Sequence, residues 1–272
     1  MSALRWLVLA AAIGVGAVGV WRGTWAVGGS DSSCYALMAQ AFAAGTLQPT
    51  SWLAREAEQV APDAAVEVAP MPVRAELFTP DEAQRSTEPR FLFVGRLNQQ
   101  KGVAHLLRAL ARMRSAASAD IVGDGPDAGA LHALARELGL AARIRWIPSV
   151  RHEELPQLYR RATALVLPSR EEGLGLVAVE AHLCGTPVIG SRSGGIPDVV
   201  EDGVTGLLVP VADSDALAAA MDALLARADR GASLGVAGRQ AALARFTPEA
   251  AGRRYAALYQ RALGGRRVDG AR

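Results

Sequence analysis

Short apolar runs alternate with amphipathic patterns from about residue 51 onward. Six runs have the length and composition of buried strands: Arg90–Val94, Ala119–Val122, Arg143–Ile147, Ala164–Leu167, Pro187–Ile189 and Gly206–Val209. Helical patterns occupy the intervening and closing segments: Val103–Arg114, Ala128–Leu138, Glu153–Arg161, Leu176–Cys184, Ala216–Ala226 and Thr247–Leu263. Strands that alternate with helices of this length predict an α/β fold, with a Rossmann-like parallel sheet and helices on both faces.

This arrangement also predicts where a ligand binds. Right-handed crossovers place the carboxyl ends of parallel strands, and the loops that follow them, at one edge of the sheet. We therefore expect residues 51–263 to form one domain with its chemistry at that edge. Residues 264–272 are predicted to be a frayed tail.

The first 50 residues follow a different pattern. Trp6–Trp21 is an uncharged apolar run of 16 residues, and as a helix it covers only ~24 Å of a hydrocarbon core of ~30 Å. We therefore predict that residues 1–25 form a hydrophobic helix serving as a short span, a signal-peptide core or a membrane anchor, the alternative being a buried helix. Residues 26–50 are predicted to be a linker with a short amphipathic helix.

Composition excludes several classes of function. Twenty-nine basic and 27 acidic residues give a net charge of +2, which argues against a nucleic-acid-binding protein. Cys34 and Cys184 are the only cysteines, so neither a disulfide framework nor a thiolate metal site is expected. No two histidines have the spacing of a metal site, so no metal is predicted.

Gly95–Gly102 is a loop that follows the first predicted strand and opens a helix. Glycine allows the backbone to approach a ligand closely, and a helix N-terminus favours an anion. Arg96 and Lys101, the only lysine of the chain, are five residues apart, so a curled loop can bring both cations to one diphosphate. The order of residues is not that of a Walker P-loop. The alternative is a solvated turn with two surface cations.

The loop after the fourth predicted strand places two carboxylates around a glycine-rich turn. Glu172 precedes a helix and Glu180 lies within it, while the N–H groups of Gly173, Leu174 and Gly175 face the space between, as an anion nest. This suits a ligand with hydroxyls at both ends and phosphates in the middle. The alternative is that Glu172 caps the helix and Glu180 has a partner in the core.

Two further glycine-rich turns follow predicted strands. Gly123–Pro126 is a tight turn, with a backbone contact from Gly123 to a nucleotide as the alternative. Ser193–Asp198 is another strand-to-helix turn, and Pro197 fits the first turn of a helix.

Together, these loops resemble the donor-binding domain of the retaining glycosyltransferases of family 4, whose GT-B architecture has two Rossmann-like domains facing a cleft. The resemblance covers about residues 51–263. The motifs that carry it are Phe93-Val94-Gly95-Arg96-Leu97 with Lys101-Gly102, Val122-Gly123-Asp124-Gly125-Pro126, Glu172 to Glu180, and Gly194-Gly195-Ile196-Pro197. The two glutamates match the family's Glu-x7-Glu motif.

The resemblance implies a role for each site residue. Arg96 and Lys101 would bind the nucleotide diphosphate and stabilise it as leaving group, Glu172 would contact the transferred sugar, and Glu180 the ribose hydroxyls. The backbone near Val150 would hold the base. The remaining donor-binding residues are Gly95, Gly123, Gly173, Leu174 and Gly175. The donor would be a UDP or GDP sugar, the acceptor an unknown glycan or lipid, and no cofactor or metal would be needed.

One departure from the family is large. Its acceptor-binding domain should precede Ser51, where about 50 residues weakly resemble the start of a polytopic lipid-linked sugar transferase instead. We therefore expect a truncated or fused form. Because nucleotide sugars are cytoplasmic in bacteria, we also expect the transferase domain on the cytoplasmic side, with membrane contact through residues 6–21.

Three other functions stay open. The domain could hold a nucleotide sugar without transferring it. It could belong to a nucleotide-sugar epimerase, which shares the two-domain architecture and would also need a second domain. A dinucleotide dehydrogenase is disfavoured, because no Gly-x-Gly-x-x-Gly follows the first predicted strand.

Overall fold

A computed structural model describes residues 47–48, 67–68 and 71–262, with side chains to residue 257. The predicted hydrophobic helix, most of the predicted linker and the predicted tail lie outside these residues. Among the described residues, no helix has the length and hydrophobicity to cross a bilayer.

The described residues include eight strands. Their bounds are Leu47–Gln48 (β1), Glu67–Val68 (β2), Arg90–Val94 (β3), Ser118–Val122 (β4), Ile144–Ile147 (β5), Ala164–Leu167 (β6), Val188–Ser191 (β7) and Gly206–Val209 (β8). The first two pair with each other in parallel. The other six agree with the predicted strands to within two residues at either end.

Within residues 71–262, eight α-helices accompany the strands. Their bounds are Val103–Arg112 (α1), Ala128–Glu137 (α2), Leu155–Arg161 (α3), Leu176–Leu183 (α4), Ile196–Val199 (α5), Ser214–Ala226 (α6), Ala232–Phe246 (α7) and Pro248–Ala262 (α8). Three short 3-10 helices lie at Glu82–Gln84, Gln99–Lys101 and His152–Glu154.

Helix α7 is the long element that the sequence pattern missed. Two glycines lower its helix propensity, and packing explains both of them. A Cβ on Gly235 would lie 2.0 Å from the carbonyl oxygen of Gly185, and one on Gly238 would lie 2.5 Å from the ring of His182. The glycines therefore let α7 pack closely against the end of α4.

The six longer strands form one parallel sheet in the order β5-β4-β3-β6-β7-β8. Renumbered from β3, this order is 3-2-1-4-5-6, that of the Rossmann fold. The strand order reverses between β3 and β6, so the loops that follow these two strands flank the crevice where such folds bind ligands. The predicted α/β class is confirmed.

Helices cover both faces of this sheet, as predicted. On β3, Phe91 and Phe93 point into a core shared with α1, α2 and α6, while Leu92 points into a second core shared with α3, α4 and α7. Helix α1 shows how the first core forms: its buried positions, Val103, Leu106, Leu107 and Leu110, follow helical spacing.

Candidate active site at the carboxyl edge of the sheet

The loops after β3 and β6 lie directly against each other at the switch point. The Arg170 N–H donates a hydrogen bond of 2.7 Å to the carbonyl oxygen of Gln100. Gly102 has a φ of +68°, and a Cβ there would lie 2.0 Å from the carbonyl oxygen of Pro168. Glycine is therefore required at Gly102 to bring the two loops together.

Lys101 and Glu172 form an ion pair across this junction. The Lys101 Nζ lies 2.9 Å from Oε1 and 3.0 Å from Oε2 of Glu172, and the two side chains are 20% and 7% exposed. Asn98 caps the 3-10 helix that ends at Lys101, because its Oδ1 accepts from the Lys101 N–H. The Ser169 Oγ donates to Glu172 at 3.0 Å. Glu172 makes no capping hydrogen bond to α4, so the capping alternative is wrong.

The loop after β7 supports Glu172 from its other side. The Gly195 N–H donates to the Glu172 carbonyl oxygen at 3.1 Å. A Cβ on Gly194, whose φ is +51°, would lie 1.7 Å from that same oxygen. The Ser193 Oγ donates to the Arg170 carbonyl oxygen at 2.7 Å. Three loops therefore fix the backbone at Glu172.

The predicted anion nest consists of three backbone N–H groups in the loop after β6. In the described part of the chain, no hydrogen bond is donated by the backbone N–H groups of Gly173, Leu174 or Gly175. A Cβ on Gly173 would meet no atom within 4 Å, so the surface is open there. Unpaired N–H groups at the start of α4 favour an anion.

Glu180 is buried, with partners on both carboxylate oxygens. Its side chain is 2% exposed. The Tyr159 hydroxyl donates to Oε2 at 2.7 Å, and the His152 Nε2 lies 2.9 Å from Oε1. Burial, and then the charge of Glu180, raise the pKa of Tyr159 well above its usual value, so the hydroxyl stays protonated. The alternative that Glu180 has a partner in the core is thus correct, although these contacts do not exclude a ligand.

His152 is the residue of this site that sequence reasoning missed. Its ring is half-exposed, and the hydrogen bond to Glu180 is the main cause that raises the pKa of His152. A lone histidine before a helix carries no spacing signal. The two residues are 28 positions apart in the sequence, and the fold brings their side chains within hydrogen-bond distance.

Gly95 and Gly123 hold two neighbouring loops together. The Gly95 N–H donates to the Val122 carbonyl oxygen and the Gly123 N–H to that of Ile147, each at 3.0 Å. A Cβ on Gly123 would lie 2.0 Å from the Gly95 carbonyl oxygen. Close approach between loops therefore requires a glycine at 123, and a donor contact from either glycine stays a prediction.

All ten predicted site residues lie at or just beyond the carboxyl edge of the sheet: Gly95, Arg96, Lys101, Gly123, Val150, Glu172, Gly173, Leu174, Gly175 and Glu180. Arg96 is exposed and makes no side-chain hydrogen bond or ion pair with the described residues. Val150 is half-buried after β5. No group of three metal-ligating side chains occurs within 71–257. That finding leaves the predicted metal-free site untested.

Comparison with known proteins identifies the family. The profile described as "Glycosyl transferases group 1" matches residues 76–241, which is more than half of the chain. The chain belongs to this family, and the resemblance predicted from its loops is confirmed.

Individual relatives agree with this assignment. The chain is 37% identical to the GDP-mannose-dependent α-(1-6)-phosphatidylinositol monomannoside mannosyltransferase of Mycolicibacterium smegmatis, over 78% of this chain and 60% of the relative. It is 37% identical to the D-inositol 3-phosphate glycosyltransferase of Mycobacterium marinum, over 71% of this chain and 44% of that relative. The structure of the sucrose-phosphate synthase of Thermosynechococcus elongatus matches with a TM-score of 0.72 and 32% identity, over 80% of this chain and 58% of the synthase. The chain thus spans about half the length of these relatives.

Proposed function

We propose that this domain binds the nucleotide-diphosphate-sugar donor of a retaining glycosyltransferase that acts on a glycan or lipid acceptor. The observation that carries the proposal is the Lys101–Glu172 pair at the switch point, beside the unpaired N–H groups of Gly173–Gly175. A cation, a carboxylate and free donors meet there, at the place where this fold binds nucleotides.

When the donor binds, Lys101 would exchange its partner Glu172 for the diphosphate. The diphosphate would take the place of Glu172 beside the Lys101 ammonium, with Arg96 and the backbone N–H groups as further donors. Glu172 would then accept hydrogen bonds from hydroxyls of the sugar. One charge-assisted hydrogen bond replaces another, so little is lost when the pair opens.

The same positive groups would favour the chemical step. The bond between the sugar's anomeric carbon and the phosphate oxygen breaks, and its electron pair leaves with the nucleoside diphosphate. Cationic side chains and N–H groups stabilise the charge that develops on that phosphate. The acceptor oxygen bonds to the anomeric carbon on the face that the phosphate left, and its proton passes to the departing phosphate oxygen. No metal or other cofactor is part of this proposal.

The donor would be a UDP or GDP sugar. The relative named for GDP-mannose supports GDP-mannose as the first donor to test. The decisive experiment incubates the full chain with GDP-mannose and a mannoside acceptor and determines the anomeric configuration of the product by NMR. An α-linked product supports the proposal, and a β-linked product contradicts it.

A non-catalytic donor-binding module is the second candidate. It rests on the same Lys101–Glu172 contact, which the proposal relates to the donor alone. Calorimetry separates the two functions: a module gives heat with the nucleotide sugar and no product, whereas a transferase gives both.

We also propose that residues 6–21 contact a membrane and that the domain faces the cytoplasm. The apolar run and the cytoplasmic source of nucleotide sugars support this. Protease treatment of inverted vesicles and of intact spheroplasts tests it. Cleavage of the domain in inverted vesicles alone is expected, and cleavage from the outer face would contradict it.

A further inference from the structure

Glu180 is held by two side chains that differ sharply in exposure. Tyr159 is fully buried, whereas the side chain of His152 is 36% exposed. The ring of Phe78 meets both of them edge-on, at centroid distances of 5.1 Å from His152 and 6.0 Å from Tyr159. His152 is thus packed between Phe78 and the Glu180 carboxylate, with part of its ring facing solvent.

The two contacts leave Glu180 with unused acceptor capacity. A carboxylate has about four acceptor positions, and one on each oxygen is occupied. Tyr159 closes the inner side of the carboxylate, because it is buried. His152 is partly exposed, so we infer that a ligand reaches the unused positions from the side of His152.

We propose that His152 is a positioning residue for nucleotide recognition: it orients Glu180 toward the ribose hydroxyls and makes donor affinity depend on pH. This inference rests on the proposed donor-binding function. It gives a role to a histidine that no motif of the chain includes.

The charges around His152 determine the sign of the pH dependence. Glu180 faces it from α4, Glu153 lies on its own 3-10 helix, and Arg74 comes from the segment before β3. The hydrogen bond to Glu180 has the largest effect on the pKa of His152 and raises it. The charge of Glu153 also raises this pKa, whereas burial and the charge of Arg74 lower it. Arg74 lies 3.7 Å from Glu153, so these two exposed charges partly offset each other.

A bound nucleoside diphosphate adds negative charge near the imidazole. It should raise the pKa of His152 further, so that binding takes up protons. Affinity is then highest when His152 is protonated and falls as the pH rises through the pKa of the free protein. A pKa change of about half a unit to one unit on binding corresponds to about a threefold to tenfold change in affinity.

The experiment uses the full chain and calorimetry at about pH 6 and about pH 8, a range that the histidine titration crosses. The probes are GDP and UDP, followed by the 2′-deoxy form of whichever binds. Wild type should prefer the ribonucleotide by about tenfold, the value of one ordinary hydrogen bond, and should bind more weakly at the higher pH.

Two variants separate the two parts of the role. His152→Ala should lose most of the preference for ribose and most of the pH dependence. His152→Gln can still donate to Glu180, so it should keep the ribose preference and lose the pH dependence. The matched control is His132→Ala, since His132 is an exposed histidine that stacks on Trp146 in another part of the fold. It should keep both properties.

A merely structural role for His152 predicts a different result. His152→Ala would then unfold more easily yet keep the ribose preference and the pH profile of wild type, and this overturns the inference. If His152→Ala does not fold, His152→Gln decides: retained pH dependence overturns the inference and its loss supports it. Wild type that binds neither GDP nor UDP refutes the proposed function itself, and equal affinity for ribose and deoxyribose forms refutes the ribose contact.

Discussion

Buried carboxylates lie toward both edges of the sheet, but the groups that surround them differ. Toward the amino edge, Asp120 in the middle of β4 is 4% exposed and accepts from Arg90, the first residue of β3, at 2.8 Å and from the Arg145 Nε at 3.0 Å. At the carboxyl edge, Glu172 is nearly as buried, but it directly precedes the unpaired N–H groups of Gly173–Gly175, and the neighbouring loop after β3 carries an exposed Arg96. At the amino edge both oxygens of the carboxylate are paired with arginines, whereas at the carboxyl edge backbone N–H groups beside the carboxylate have no partner among the described residues.

Glycine placement shows how the carboxyl edge is assembled. At the carboxyl edge, Gly102, Gly123 and Gly194 each permit an approach that a Cβ would block, and each brings one ligand-side loop onto another. The site is therefore constructed by backbone contacts between loops, and its charged side chains are placed by those contacts. The following predictions test this contrast, beginning with the largest expected effect.

The largest effect should come from Gly194→Ala. The new Cβ would lie 1.7 Å from the Glu172 carbonyl oxygen, at a φ of +51°. The backbone must move, so we expect unfolding to become easier by about 3 kcal/mol or more and nucleotide binding to be lost. Urea denaturation and calorimetry measure the two effects.

Gly173→Ala is the matched control for that change. A Cβ at Gly173 meets nothing within 4 Å. Its stability should stay within about 0.5 kcal/mol of wild type. A stable Gly194→Ala protein that binds GDP or UDP normally would contradict the role given to the loop contacts.

Acid should destabilise the fold through His182, independently of the donor site. His182 is buried, its Nε2 lies 3.0 Å from the Thr205 carbonyl oxygen, and burial lowers the pKa of His182 to about 4. The unfolded chain, with a pKa of about 6.5, binds a proton that the folded protein does not. Stability from this group is therefore complete above about pH 6.5 and falls by about 3 kcal/mol as the pH approaches 4.

Urea denaturation between about pH 4 and pH 7 measures that slope. His182→Gln should be less steep over the same interval, because glutamine does not titrate. An equally steep slope in the variant would assign the effect to other groups. The result also separates fold stability from the pH dependence expected of donor binding through His152.

Lys101→Ala should weaken GDP or UDP binding by about tenfold to a hundredfold, the effect of losing a charge-assisted hydrogen bond of about 1.5–3 kcal/mol. Arg112→Ala is the control, since Arg112 lies at the far end of α1 and pairs with the exposed Asp215 at 3.1 Å. Calorimetry should find its affinity unchanged. Equal losses in both variants would indicate a general effect of positive charge.

The smallest effect should come from Asp120→Asn at the amino edge. The change removes the shared counter-charge of Arg90 and Arg145, whose side chains are 31% and 50% exposed and can turn to water. We expect a loss of about 1–2 kcal/mol in stability and no change in nucleotide affinity. Weaker nucleotide binding in a folded Asp120→Asn protein would contradict the contrast between the edges.

The periodic parts of the sequence predicted the fold well. Strand runs such as Ala164–Leu167 carry their own signal, because a parallel strand buried on both faces is apolar throughout. Helix α7 was missed because Gly235 and Gly238 are explained only by the neighbour they touch. The periodicity of apolar residues indicates which positions are buried. It does not indicate where two elements approach each other closely.

The sequence predicted which residues lie at the site, but it predicted fewer of the contacts between them. The motif identified Glu180 and Lys101, but nothing in it indicates that Lys101 pairs with Glu172 across 71 residues, or that His152 reaches Glu180. Both pairings depend on the order of strands in the sheet. Gly123 was interpreted as a ligand contact, although its close approach to the Gly95 carbonyl oxygen already explains the glycine there.

The central claim is that the carboxyl edge binds a nucleoside diphosphate. A crystal structure of the full chain with GDP or UDP tests it most directly. We expect the diphosphate within hydrogen-bond distance of the Lys101 ammonium and the Gly173–Gly175 N–H groups, with the ribose hydroxyls at Glu180. A nucleotide bound elsewhere, with the Lys101–Glu172 pair still closed, would contradict it.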